Sequence, residues 1–272
     1  MKRLSIVFLA AAIVALPSCK NNNKNAEEAK DYSESTNAEL VEETLKADFA
    51  NLVTSAKAIK PVPFIKAQKD GKLVLSEKEK MVKPDYLLAA NAADNLVTLA
   101  QKYRILTMLG VDKTVADLYE MPLDEYDAAI SKLVVDVNDP ALKAFTDVDV
   151  NDAEAVKAAV NAFVAAEYDA CRANFVWEAV AAGLVEQLYV LTQNIDKFMP
   201  MFTDELAADI TFNFVCVHDG LTKMVEAYPE MSSLNEVLTP LYVINAMNVE
   251  QLRDQLVSVK EDVENARAFL LN

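Results

Sequence analysis

The run Phe175-Val176-Trp177-Glu178-Ala179-Val180-Ala181-Ala182-Gly183-Leu184-Val185-Glu186-Gln187-Leu188-Tyr189-Val190-Leu191 decides the fold. It is apolar or small almost throughout, broken only by Glu178, Glu186 and Gln187. A helix that is apolar on nearly every side has to be covered on nearly every side, so this segment is expected at the centre of a helical bundle. Its two carboxylates argue against a membrane span, where intramembrane charge is costly.

The sequence on either side of this run is also helical in pattern. A segment from Asn151 to about Phe198 reads as helix with a break near Asp169, and its Ala-rich first half allows close helix contact. Further helices are expected at about Asp204–Tyr228, Ser233–Asn245 and Asn248–Leu270. On the N-terminal side, Leu40, Val41, Leu45, Phe49, Leu52, Val53, Ala56 and Ile59 recur at steps of three and four, an amphipathic helix stopped by Lys60-Pro61. Pro84 suits a first helical turn and opens a helix expected to carry Leu87, Leu88, Leu96, Leu99, Tyr103, Leu106 and Leu109 and to end at Gly110. Shorter helices follow near Lys113–Glu120 and Leu123–Val135, separated by Met121-Pro122 and closed by Asn138-Asp139-Pro140.

Phe64–Gln68 and Lys72–Leu75 flank Lys69-Asp70-Gly71, a small β-hairpin around an Asp-Gly turn. The expectation is therefore an all-α, multi-helix bundle of about eight helices with one small β-hairpin near residues 64–75. A typical chain has about 7% glycine, whereas this one has 4 glycines in 272 residues, which disfavours glycine-rich phosphate loops and turn-dense β folds.

The N-terminus supplies the one specific motif. Lys2 and Arg3 precede an apolar stretch from Leu4 to Leu16, the layout of a secretory signal and too short for a transmembrane helix. It ends in Leu16-Pro17-Ser18-Cys19, which resembles the lipobox of bacterial lipoproteins. That resemblance covers about the first 19 residues. It implies that residues 1–18 are removed and that Cys19 is lipidated and becomes the mature N-terminus. Several acyl chains on one Cys would anchor the chain stably. Lys20, in place of the Asp that marks inner-membrane retention in the enteric version of the family, implies the outer membrane, at its periplasmic or surface face.

Residues 19–37 are polar and Asn-rich, a disordered tether expected to span on the order of 25 Å as a flexible coil. Residues 38–272 form the helical domain, with a sub-division conceivable near residue 146.

Charge narrows the partners. Without the leader the chain has 24 basic and 42 acidic residues, and from Thr114 onward 9 basic against 28 acidic. Such a surface repels nucleic acid. Eight Lys between Lys57 and Lys83 form a local exception that could face lipid headgroups or an acidic surface, or simply guard the hairpin edge.

Candidate sites are few. Glu178 and Glu186 must be paired, hydrogen-bonded or shifted in pKa within so apolar a helix, which makes them candidate ligand-binding residues; the commoner arrangement places such residues on an exposed helix edge. His218 is the third candidate ligand-binding residue; it lies on the stripe Ile210, Phe214, Val217, Leu221, Val225, where a core or interface position is the commoner arrangement, with no ligating residue three or four places away. Cys171 and Cys216 are a candidate disulfide in an oxidising compartment, or two small core residues.

Asp147-Val148-Asp149-Val150-Asn151-Asp152 begins like a calcium loop but lacks the Gly and Glu that an EF-hand needs later, and Asn151 with Glu154 reads as a helix cap instead. Met199-Pro200-Met201 offers thioethers but fits an apolar connector. No cofactor, metal site or nucleophile is expected. The function expected is a lipid-anchored, non-enzymatic binding or scaffolding module of the cell envelope, partnered by the membrane and another envelope protein. The alternatives are a lipoprotein that binds a small ligand or metal and, less favoured, a hydrolase.

Overall fold

A computed structural model describes residues 71–148 and 153–272. The leader, Cys19, the tether, the amphipathic segment Glu39–Ile59, the first expected strand and Asp149–Asp152 of the calcium-like run lie outside those residues.

The described chain is all-α. Its helices are α1 (Glu77–Lys80), α2 (Leu99–Leu118), α3 (Asp124–Val137), α4 (Pro140–Thr146), α5 (Ala153–Asp169), α6 (Ala173–Gln193), α7 (Ile195–Phe198), α8 (Asp204–Ala227), α9 (Ser232–Leu238), α10 (Val249–Ser258) and α11 (Lys260–Leu271), joined by short 3-10 turns. The expected central helix is α6, which packs against α2, α5, α8, α10 and α11. By length and hydropathy α6 could cross a membrane, but 89% of its most apolar window is buried by these neighbours.

Three expectations about elements are corrected. The Lys72–Leu75 half of the expected β-hairpin is not a strand; its other half lies outside the described residues. Residues 72–76 are irregular, with Leu73 and Leu75 buried and Val74 exposed, so the in-out alternation reports contact with the core. The helix expected from Pro84 begins instead at Leu99. There Thr98 Oγ1 accepts the Gln101 N–H at 3.1 Å while Gln101 Oε1 accepts the Thr98 N–H at 3.0 Å, a capping box stronger than the Pro signal.

The same helix passes through Gly110 and takes in the segment expected as a separate helix at Lys113–Glu120. A mid-helix Gly costs only about 1 kcal/mol, and the burial of Leu109, Val111 and Val115 around it outweighs that. Near the C-terminus the reading was too coarse. Pro240 turns the end of α9 into a 3-10 turn at Thr239–Val243, and a kink at Val259 separates α10 from α11.

Trp177 anchors the core. It is fully buried, its indole N–H donates to Tyr168 Oη at 2.9 Å, and its ring lies against Gly220 of α8. A Cβ at position 220 would sit 2.2 Å from the indole, so only glycine admits this approach.

Candidate functional site

Glu186 and Glu178 lie inside the bundle, not on an exposed helix edge. The apolar run that carries them is covered on all sides, so each carboxylate has to be neutralised from within.

Glu186 faces Arg267 of α11. The guanidinium grips it with two forked bonds, Nε to Oε2 at 2.8 Å and Nη2 to Oε1 at 2.9 Å, and lies 3.9 Å above the Tyr189 ring. Arg267 Nη2 also reaches the Tyr86 carbonyl at 3.4 Å. Asp112 of α2 completes the cluster. Its Oδ2 accepts the Leu88 N–H at 2.6 Å, while Oδ1 is buried without a hydrogen-bond partner. Complete burial, together with the negative charge of Glu186, drives the Asp112 carboxyl well above the usual range, which favours its neutral form. The buried set is then one cation, one anion and one neutral acid, with no net charge to desolvate.

Glu178 pairs less tightly. Its Oε2 is 3.7 Å from Arg104 Nε, both side chains are buried, and neither of these atoms has a hydrogen-bond partner. Burial raises the Glu178 carboxyl and the Arg104 charge opposes that rise. Arg104 also lies over the Phe269 ring, 5.8 Å from its centroid.

A third cluster was not anticipated. Arg172, in the turn between α5 and α6, holds Glu167 through Nε at 3.0 Å and Nη2 at 2.9 Å, and Asp139 through Nη2 at 2.8 Å. Asp139 caps α4 by accepting the Ala141 N–H at 2.8 Å and also accepts the Tyr103 hydroxyl at 3.1 Å. With these extra donors Asp139 stays anionic and its pKa is lowered. Glu167, fully buried and competing for the same guanidinium, is pushed up to about 7 by desolvation. A legible signal existed for both missed acids. Asp112 is three residues from both Leu109 and Val115, and Glu167 is three and four from Val164 and Phe163, so each interrupts an apolar helix face.

The other singled-out residues are dispersed. His218 is about half exposed, which rules out the core half of the core-or-interface expectation. Its ring packs edge-on to Tyr242 at 4.4 Å, with Nδ1 3.7 Å from Asp219. The stripe it belongs to turns at the edge of the buried face, where Phe214, Val217 and Leu221 point inward.

Cys171 and Cys216 are not bonded. Cys171 is exposed in a left-handed turn at φ 56°, its carbonyl accepting the Tyr228 hydroxyl, while Cys216 is buried on α8 with its thiol pushed up to about 11 by desolvation. Met199 and Met201 form a 3-10 turn, Met199 buried in the core. Among the described residues no group of three or more His, Cys, Asp or Glu is placed to hold a metal ion.

The outer face of α8 and the segment beside it carry exposed apolar residues. Phe212 and Val215 are 38% and 53% exposed, and Val243 and Met247 are 61% and 66% exposed. These residues belong together because Thr211 Oγ1 bonds both the carbonyl and the N–H of Ala246, at 3.0 and 2.8 Å, and because Tyr242 packs on Phe214 and His218. Compared with known protein families, curated proteins and solved structures, the chain matches none.

Proposed function

We propose that this chain is a lipid-anchored, cell-envelope binding module, held at the outer membrane through Cys19 and docking another envelope protein on the outer face of α8. The observation that carries the docking half is the set of exposed apolar residues Val215, Val243 and Met247 on and beside α8. Asp219 borders this set, and the chain beyond Thr114 is strongly acidic. The complementary partner surface therefore has an apolar centre rimmed by Lys and Arg. The lipobox at Leu16–Cys19 supports the anchored half.

Site-specific photo-crosslinking in cells tests the docking half. A photoreactive residue at Val215 should give one discrete adduct that disappears when Met247 is replaced by Glu. Adducts from an exposed control position alone, and none from Val215, would refute it. For the anchor, Cys19→Ala should abolish fatty-acid labelling, and retained labelling would overturn that half.

A further inference from the structure

A cleft of about 470 Å³ opens at the C-terminal end of α6, lined in part by Gln193, Ile195, Lys197, Arg253, Val257 and Lys260. Its size falls within the roughly 300–1,000 Å³ of small-molecule sites. Its charge is out of character with the molecule. From Thr114 onward there are 9 basic residues against 28 acidic, and three of those 9 surround this one opening.

Helix-dipole compensation accounts for only part of this. A helix C-terminus carries roughly half a negative charge, which one cation nearby already balances. Lys197 is in addition turned toward the Tyr119 hydroxyl at 2.8 Å. The acids now beside these cations hold them weakly. Arg253 meets Asp196 at 2.8 Å with both side chains exposed, Lys260 is 4.0 Å from Glu264, and Lys197 is 3.9 Å from Glu79.

We propose that this cleft binds a small organic anion, a carboxylate or phosphate bearing a short apolar chain. Arg253 offers a planar fork for two oxygens, and Lys260 and Lys197 add point charge. Ile195 and Val257 form the apolar wall. This site is separate from the α8 face and does not depend on it.

The test is an amide NMR titration of the full chain, at constant ionic strength, with hexyl phosphate, hexanoate and inorganic phosphate as probes. Hexyl phosphate should give saturable shifts confined to the ends of α6 and α10 and the start of α11. In the Arg253→Gln/Lys260→Gln double variant affinity should fall roughly tenfold or more, with no change in Lys78→Gln/Lys80→Gln. A parallel arm with phosphatidylglycerol vesicles identifies the source: sedimentation that depends on Arg253 and Lys260 marks a lipid headgroup, and its absence alongside hexyl phosphate binding marks a free metabolite. No saturable shift at the cleft with any probe, or equal affinity in the double variant, overturns the proposal.

Discussion

Replacing Arg267 with Met isolates the energetics of the buried charge cluster. Met keeps much of the aliphatic volume over Tyr189 and removes both forked bonds to Glu186. Glu186 is fully buried and its remaining neighbour, Asp112, is itself a neutral acid. The variant therefore has two options: bury an unpaired carboxylate, or take up a proton on Glu186. Proton uptake is cheaper and sets the cost. With an ordinary Glu pKa of about 4.3 in the unfolded chain and about 1.4 kcal/mol per unit, holding Glu186 protonated costs about 4 kcal/mol at about pH 7 and about 1 kcal/mol at about pH 5. The neutral-pH figure agrees with the roughly 3–5 kcal/mol found when one partner of a buried pair is removed.

Urea denaturation followed through the buried Trp177, at both pH values, measures the difference from the parent chain. The sign follows from linkage: Glu186 in the variant has a folded pKa raised above its unfolded value, so the variant's stability is lost as pH rises. Adding Glu186→Gln should recover most of the loss, because Gln needs no proton to be buried neutral. A cost below about 1.5 kcal/mol at neutral pH, or one that does not change with pH, would show that Glu186 is not the charge left unpaired.

Three further outcomes are expected. Glu167 has its folded pKa raised to about 7, so the stability it contributes is present below the unfolded value and is lost as pH rises through neutrality. The parent chain should lose about 2 kcal/mol more than Glu167→Gln between about pH 5.5 and 8.5, and identical pH profiles would refute this. Gly220→Ala should cost about 1–3 kcal/mol or more through overpacking against Trp177, read as a fall in urea midpoint with altered tryptophan fluorescence; an unchanged midpoint would contradict the contact. In the folded chain a thiol reagent should modify Cys171 rapidly and Cys216 only on unfolding, and equal rates would contradict their placement.

The sequence revealed the helices through apolar spacing, and best where spacing was densest. The central run at Phe175–Leu191 became α6, and the break near Asp169 falls between α5 and α6. The misreadings came from weighing local signals singly. Pro84 promised a helix start, but the reciprocal Thr98–Gln101 cap set the start instead, and Gly110 promised an end that burial on both sides overrode. At Leu73 and Leu75 alternation reported which residues face the core, while a hairpin additionally needs a partner strand, which alternation cannot supply.

The charged residues followed a different logic. Glu178 and Glu186 stood out because their surroundings are apolar, whereas their partners Arg104 and Arg267 lie far away in the chain, and nothing in one sequence pairs positions 186 and 267. The cleft beside Gln193 was invisible for the same reason: Lys197, Arg253 and Lys260 converge only after α6, α7, α10 and α11 have packed.

Leu88 has a mechanical consequence. Its N–H is held by the Asp112 carboxyl at 2.6 Å and its carbonyl by the Tyr126 hydroxyl at 2.9 Å, so the two peptide groups flanking one residue on an irregular strip are pinned from two helices at once. Among the described residues, tension arriving from the N-terminal side meets the inserted Leu73 and Leu75, then the ion pairs of Lys80 at the surface, and then this double rivet. Force that peels this strip is therefore expected to be resisted at Leu88, ahead of the capping box that begins α2.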